Sequence, residues 1–173
     1  MINTDYKLEA LDVLLEKDCL AERYYPLLPY KDLLLRALPL RGCVTKSDAE
    51  KLTDGAFTEI GLPDAGMIRL LRRFLTIYDP NPAKFREIPK VSSDPEEQEA
   101  FRELYHLPGV KAVRAALYYR SGFRSLSDFT GASPEGVLSR TAQTIAEQQL
   151  SCIVPLPKEV RTHIAAARAF LWE

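Results

Sequence analysis

Leu107–Asp128 reads LPGVKAVRAALYYRSGFRSLSD, and this stretch decides the predicted fold. Pro108 fixes its own φ, and Gly109 is free to take a positive φ, so the pair is typical of a tight turn. The apolar residues that follow recur at helical spacing, with basic residues on another face. The stretch therefore predicts a turn followed by a helix from Val110 to Ser121.

Helical periodicity also dominates the rest of the chain. An apolar stripe runs from Met67 to Tyr78 over three turns, and Leu8–Leu15 carries a shorter stripe. Residues typical of helix starts precede four further segments. They are Ser47 with Glu50 as a capping box, Asp94-Pro95 with Glu97, Ser133-Pro134-Glu135, and Leu156-Pro157. Since no run shows the alternation of a half-buried strand, the sequence predicts an all-α protein.

The chain of 173 residues is nearly neutral, with 23 Lys+Arg against 24 Asp+Glu. This balance excludes a polybasic coat for nucleic acid and a disordered acidic tail, but it leaves local patches open. No stretch approaches the roughly 18 consecutive apolar residues of a membrane-spanning helix. The N-terminus lacks a secretory signal, and three distant cysteines predict neither a disulfide framework nor a zinc site. We expect a cytoplasmic protein with no membrane partner.

A proline-rich segment divides the chain into nearly equal halves. Four prolines and no apolar periodicity occur within residues 79–95, and proline disfavours helix both at its own position and at the residue before it. We therefore expect an N-terminal helical unit over residues 1–78 and a connection over 79–95. A second helical unit is expected over 96–173.

The two halves resemble each other at short motifs. Leu28-Pro29 and Ala37-Leu38 recur with the same mutual spacing as Leu107-Pro108 and Ala116-Leu117. The pattern Gly-x-x-Thr/Ser-x-Ser-Asp begins at Gly42 and again at Gly122, one position further from the Ala-Leu pair in the second half. A single insertion therefore aligns the halves. These matches favour an internal repeat, and chance similarity between helical segments is the alternative.

The opening stretch resembles the helix-hairpin-helix family. The family pattern is apolar-Pro-Gly-apolar-Gly, with a small residue further into the second helix. The residues that match it here are Leu107, Pro108, Gly109, Val110 and Ala115. Gly122–Asp128 and Ala132–Glu135 resemble the next element of tandem members, such as the C-terminal domains of competence-regulator proteins and of the bacterial RNA polymerase α-subunit. The resemblance implies two tandem, SAM-like units of five helices each.

The resemblance also implies a function. In DNA-binding members, backbone N–H groups of the hairpin hold a phosphate at a helix N-terminus, and nearby Lys or Arg adds charge. It therefore implies weak, largely sequence-independent binding of a DNA or RNA backbone, with N–H groups from Gly109 and Val110. The residues expected at this site are Pro108, Gly109, Val110, Lys111, Arg114, Arg120 and Arg124.

Local charge agrees with this interpretation, because the segment from Tyr105 to Phe170 carries eight Lys and Arg against four acids. Solvated helical faces with ion pairs inside the chain are the alternative explanation of these charges. The pairs Tyr24-Tyr25 and Tyr118-Tyr119 are candidates either for stacking on bases or for packing at helix ends.

Departures from the family pattern favour a second function. Lys111 replaces the second glycine, Ile153–Pro157 has no glycine, and Leu28–Lys31 lacks the first glycine. A side chain at these positions obstructs a close approach of phosphate to the backbone. The alternative is a non-catalytic module for protein-protein interaction, or a scaffold, that kept the fold and lost phosphate binding.

Catalytic motifs are absent from the sequence. His106 and His163 are the only histidines, and neither has a partner at metal-ligand spacing. The chain has no phosphate-binding loop, dinucleotide fingerprint or nucleophile elbow. We therefore expect no enzymatic activity, no metal, no cofactor and no small-molecule substrate.

Overall fold

The computed structural model describes residues 5–17, 20, 22–77 and 93–171. These residues form helices and no β-strand, so the all-α prediction is confirmed for them. The described residues of Met1–Pro80 form one compact unit, and those of Asn81–Leu171 form a second one. Most of the predicted connection, residues 79–92, lies outside the described part. Among the described helices, none has the length and apolar character needed to cross a bilayer.

The first unit contains five α-helices in its described part. They are α1 (Leu11–Leu14), α2 (Lys31–Leu40), α3 (Lys46–Glu50), α4 (Asp54–Ile60) and α5 (Ala65–Ile77). Two 3-10 helices precede α1 and α2, at Leu8–Ala10 and Glu22–Tyr30. Two prolines in the second 3-10 helix remove donors that an α-helix would need. This 3-10 helix packs on α5, where Tyr24 meets Phe74 edge to face at 5.5 Å between ring centroids.

The second unit also contains five α-helices in its described part. They are α6 (Pro95–Leu104), α7 (Ala112–Arg120), α8 (Leu126–Thr130), α9 (Pro134–Gln148) and α10 (Pro157–Phe170). Helix α10 packs on α8 and α9, and α7 packs on α6 and α9. A cluster of buried rings forms the centre of the core. The ring of Phe129 lies 4.9 Å from that of Tyr118 and 5.1 Å from that of Phe123.

Most predicted helix starts are confirmed. Asp94 accepts the Glu96 N–H at 2.9 Å, and Ser133 accepts the Gly136 N–H at 3.0 Å. Helix α10 begins at Pro157, as predicted. The capping box predicted from Ser47 to Glu50 is wrong. Thr45 is the N-cap of α3, with extended backbone, and Asp48 accepts the Thr45 N–H at 3.0 Å.

The turns that follow α2 and α7 share the same backbone hydrogen bonds. In each turn a glycine with positive φ follows the helix: Gly42 after α2 and Gly122 after α7. The backbone N–H of the residue after this glycine donates to the carbonyl of a residue in the last turn of the helix. The donor and acceptor residues are Cys43 and Leu38 at 3.0 Å after α2, and Phe123 and Tyr118 at 2.9 Å after α7. These bonds place Leu38 in correspondence with Tyr118 and not with Leu117. The sequence motifs predict a different pairing, Leu38 with Leu117, so the offset between the two turns is already 80 residues at Leu38 and not 79.

The next helix in each unit begins with the same kind of cap. Asp48 accepts the Val44 and Thr45 N–H groups, both at 3.0 Å. In the second unit the Asp128 carboxylate accepts the backbone N–H groups of the two residues that correspond to them, at 2.8 and 2.9 Å. Each turn is thus followed by a short helix in whose first turn an aspartate accepts the N–H groups of the two residues that precede the helix.

Candidate functional site

The Leu107–Val110 segment forms the predicted tight turn between α6 and α7. The Val110 N–H donates to the Leu107 carbonyl at 3.2 Å. Gly109 has a φ of +75°, and no atom lies within 4 Å of the place where a Cβ would stand. A positive φ after proline is the geometry of a type II turn. The Val110 N–H is therefore engaged in the turn, which corrects the prediction that it contacts phosphate.

Helix α7 starts two residues later than predicted, and its N-terminus has no cap. Lys111 is the N-cap residue, with extended backbone and no capping hydrogen bond from its side chain. The first turn of α7 contains no acidic residue. Within the described residues, the N–H groups of Lys111, Ala112 and Val113 have no acceptor. Because these N–H groups form the positive end of the helix dipole, the site favours an anion.

Every other helix of the second unit has a cap. Asp94 caps α6, Ser133 caps α9, and Asp128 closes the first turn of α8. Glu159 accepts the Leu156 N–H at 3.2 Å at the start of α10. The uncapped start of α7 is therefore a specific feature of this helix and not a general feature of the unit.

Two buried side chains hold the turn from behind. The Nε2 atom of His163 lies 2.9 Å from the Pro108 carbonyl oxygen, and its Nδ1 atom lies 2.7 Å from the Tyr118 hydroxyl. A carbonyl only accepts, so Nε2 carries the proton and donates it to Pro108. Burial lowers the pKa of His163 to about 4, which keeps the ring neutral at pH 7. Nδ1 is then the acceptor for the Tyr118 O–H group, and burial raises the pKa of Tyr118.

Arg114 is committed to an ion pair inside the unit. Its Nε and one terminal nitrogen lie 2.8 and 3.3 Å from the two carboxylate oxygens of Glu159. Its other terminal nitrogen donates to the Ile153 carbonyl at 3.0 Å. The sequence predicts Arg114 as a charge for an external phosphate. The structure instead uses it to join α7 to the segment before α10, and Glu159 balances its charge.

The remaining predicted site residues divide between the two ends of α7. Pro108, Gly109 and Lys111 lie at its start, whereas Arg120 lies at its end. The helix rises about 12 Å between Ala112 and Arg120. Arg124 lies beyond that end, with its guanidinium 4.9 Å from the centroid of the Tyr119 ring. The structure therefore does not bring the predicted basic residues together at the turn.

An open groove of about 600 Å³ runs beside the turn. Its lining includes Gly109, Lys111, Val113, Cys152, Ile153 and Glu159. Two of these residues are exposed and apolar, Val113 at 68% and Ile153 at 75%. Leu156, three residues after Ile153, is 66% exposed.

The corresponding segment of the first unit provides its own counter-ions. Lys31, which follows Leu28–Tyr30, has its Nζ atom 2.7 Å from a Glu16 carboxylate oxygen and 3.1 Å from one of Asp12. Burial lowers the pKa of Lys31, but the hydrogen bonds to these two acids outweigh it, and the pKa lies above its usual value. Asp32 lies in the first turn of α2. This segment therefore lacks the open positive charge found at the start of α7.

Four residues around the candidate site are not among the predicted site residues: Tyr118 and His163 behind the turn, Glu159 as partner of Arg114, and Arg140. The guanidinium of Arg140 lies 5.0 Å from the centroid of the Phe123 ring. Only Glu159 had a usable signal, since an acid in the first turn after Leu156-Pro157 predicts a cap. Burial of Tyr24 and Tyr118 assigns both to packing and leaves neither for base stacking.

Metal binding and thiol chemistry find little support in the described residues. Within the described ranges, no three His, Cys, Asp or Glu side chains are placed to hold a metal ion. Cys43 is buried, which raises its pKa, and Cys152 is half-buried; both are free thiols. Cys19 lies outside the described residues.

Comparisons with known proteins do not assign a family. No protein-family model matches the chain, and neither curated proteins nor solved structures gave a match. Function therefore has to be inferred from the geometry of the second unit.

Proposed function

We propose that the second unit binds nucleic-acid phosphates, weakly and without sequence preference, at the start of α7. The uncapped N-terminus of α7 carries the proposal. Three backbone N–H groups lack an acceptor there within the described part of the chain, and a phosphate oxygen would supply one. Lys111 is exposed and adds a positive charge, while bare Gly109 leaves room for a bulky anion.

We also propose that both units are helix-hairpin-helix units related by internal duplication. The glycine turns and aspartate caps that recur at corresponding positions of the two units support this proposal, as does the Pro-Gly turn before α7. In this proposal the first unit has lost phosphate binding, because Asp12 and Glu16 already neutralise Lys31.

The expected affinity is low. The start of α7 contacts one or two phosphates, and each neutralised phosphate contributes about 0.7 to 0.9 to the slope of log affinity against log salt. A slope between about −1 and −2 follows, far shallower than that of a protein with many phosphate contacts. Binding should therefore be measurable only at low ionic strength.

A second candidate function is docking of a protein partner. The observation that favours it is the exposed apolar rim of the groove, formed by Val113 and Ile153. Exposed apolar side chains that line one groove are typical of interaction surfaces. The neutral pair of Arg114 and Glu159 in the groove also suits a protein partner better than a polyanion.

Fluorescence anisotropy with labelled single-stranded and duplex oligonucleotides at low salt tests the first candidate. Lys111→Glu should weaken binding by about tenfold or more, because it places a negative charge beside the free N–H groups. Lys51→Glu makes the same change of charge on an exposed residue of the first unit and should leave binding within about twofold. If both variants bind as the wild type does, the proposed site is wrong.

The same protein tests the second candidate. Ile153→Asp should abolish recovery of a nuclease-resistant protein partner while leaving oligonucleotide affinity nearly unchanged. If the wild type and Ile153→Asp recover the same proteins, the apolar rim is not the docking surface.

A further inference from the structure

Three arginines surround the turn between α7 and α8. Arg124 stacks on Tyr119 with its guanidinium 4.9 Å from the ring centroid, and Arg140 stacks on Phe123 at 5.0 Å. Arg120 ends α7 two residues before the glycine of the turn. All three arginines are exposed, and in the described part of the chain none of them forms an ion pair with a carboxylate.

Aromatic rings lie beneath two of these guanidinium groups. Phe123 is buried, and its ring packs against Phe129 at 5.1 Å and Tyr118 at 6.3 Å, so the surface under Arg140 is rigid. A terminal nitrogen of Arg140 lies 2.9 Å from the place where a Cβ on Gly122 would stand. The φ of +91° favours glycine at this position, and the absence of a side chain there lets the Arg140 guanidinium lie close to the turn.

The turn itself does not require arginine. In the first unit the corresponding turn has the same backbone hydrogen bonds and the same aspartate cap. Leu40 and Val44 stand there at the positions that correspond to Arg120 and Arg124, and they are 88% and 56% exposed. Since the fold forms equally with apolar residues at these positions, folding does not explain the arginines.

The nearest acids along this turn are occupied by backbone groups. One Asp128 oxygen accepts the N–H groups of Arg124 and Ser125 at 2.8 and 2.9 Å. Glu103 of α6 accepts the Leu126 N–H at 2.8 Å. These two carboxylates stabilise the start of α8, and neither pairs with a guanidinium of the cluster. Three arginines against these two carboxylates leave the turn with a net positive charge.

We infer that Arg120, Arg124 and Arg140 form a second phosphate-binding site, separate from the start of α7. A guanidinium presents a planar fork of N–H groups that fits phosphate oxygens, and stacking on a ring leaves that edge open. The ligand is the phosphate backbone of a nucleic acid, and this assignment of ligand rests on the function proposed above. The two sites lie at opposite ends of α7.

The separation of the sites sets a minimum ligand length. Their helix spans about 12 Å, which corresponds to about four nucleotides at about 3.4 Å per nucleotide along one strand of a duplex. A dinucleotide occupies one site at a time, whereas a longer strand occupies both and gains from the high effective concentration of its second contact. Affinity should therefore rise steeply once the strand is long enough to reach both ends.

Anisotropy with a labelled oligothymidylate of about 12 nucleotides at low salt tests the second site, because each lost phosphate contact lowers both affinity and salt slope. Arg124→Gln and Arg140→Gln should each weaken binding by about threefold to tenfold and make the salt slope shallower by about 0.7. Arg73→Gln removes the same charge from an exposed position of α5 and should change affinity by less than about twofold. Equal affinities for all three variants would overturn the inference.

A second measurement follows the Nε–H resonances of Arg124 and Arg140 by NMR during a titration with inorganic phosphate. Saturable shifts at these resonances support the site, and their absence overturns it. Loss of oligonucleotide binding in Lys111→Glu alone sustains the function proposed for α7 and refutes the arginine site. Loss of oligonucleotide binding in the arginine variants alone sustains the arginine site and refutes the function proposed for the start of α7. Shifts with phosphate in a protein that binds no oligonucleotide refute nucleic acid as the ligand at both sites.

Discussion

Burial of His163 links the stability of the second unit to pH. Its ring is enclosed in the core, donates to the Pro108 carbonyl and accepts from Tyr118. The pKa of His163 is lowered from 6.5 to about 4, chiefly by burial. The hydrogen bond to Pro108 and the charge of Glu159 oppose this shift, whereas the charge of Arg114 adds to it. The unfolded chain therefore takes up a proton at a higher pH than the folded chain does.

The sign and size of the effect follow from that difference. Between pH 6.5 and about 4 the unfolded state binds the proton and the folded state does not, so the free energy of unfolding falls as the pH is lowered. Each pKa unit corresponds to about 1.4 kcal/mol, which gives a loss of about 3 kcal/mol over this range. Above pH 6.5 the imidazole is neutral in both states and the full stability is present.

Urea unfolding followed by circular dichroism at several pH values measures this loss. His163→Gln keeps a side-chain N–H for Pro108 but cannot take up a proton. The stability difference between wild type and variant should therefore shrink by about 3 kcal/mol between about pH 7 and pH 4. Subtracting the variant removes the contribution of the carboxylates, which titrate in both proteins.

Direct titration of the His163 ring by NMR in the wild type gives an independent check, and it does not require the variant to fold. Its Cε1–H resonance should move at about pH 4, with little change near pH 6.5. A midpoint near 6.5, or parallel pH profiles for wild type and variant, would refute the buried neutral imidazole.

Three further substitutions test the backbone geometry by urea unfolding. Gly109→Ala should lower the free energy of unfolding by about 1 kcal/mol, because φ is +75° and no atom obstructs the new Cβ; an unchanged midpoint would contradict that conformation. Asp128→Ala and Asp48→Ala should each lower the urea midpoint by a similar amount, because each carboxylate accepts two backbone N–H groups just before a helix. A large difference between the two losses would show that the two caps are not equivalent.

Helix starts are features of the fold that local sequence determines. Asp94-Pro95 and Ser133-Pro134 are correctly predicted, because an N-cap side chain reaches backbone only two or three residues away. Proline at the first helical position adds a second local signal at each of them. Both interactions form within one helical turn and need no distant partner.

The cap of α3 could not be predicted from local sequence alone. Ser47 with Glu50 and Thr45 with Asp48 both have the spacing of a capping box. The Lys46 N–H donates to the Tyr6 carbonyl at 3.0 Å, and the Leu8 N–H donates to the Val44 carbonyl at 2.9 Å. These bonds hold the backbone extended at Thr45, so contacts with a segment near the start of the chain choose between the two patterns.

Charges at helical spacing were also ambiguous from sequence. Lys111 and Arg114 lie three residues apart, and the sequence assigns both to one exposed basic surface. Glu159, which is 45 residues from Arg114, removes that arginine from the surface. Of the arginines that remain open, Arg124 and Arg140 lie over neighbouring rings, and Arg140 comes from a different helix. Surface charge depends on partners that periodicity does not reveal.

The sequence alone determined the all-α class, the Pro-Gly turn and most helix starts, since each depends on φ preferences and hydrogen bonds within a few residues. The tertiary structure decided which groups at that turn are available to a ligand. His163 is 55 residues from Pro108, and Glu159 is 45 from Arg114, so only packing brings these pairs together. The N–H groups at the start of α7 remain open because, among the described residues, packing brings no carboxylate to Lys111. The carboxylate of Glu159 pairs with Arg114 instead.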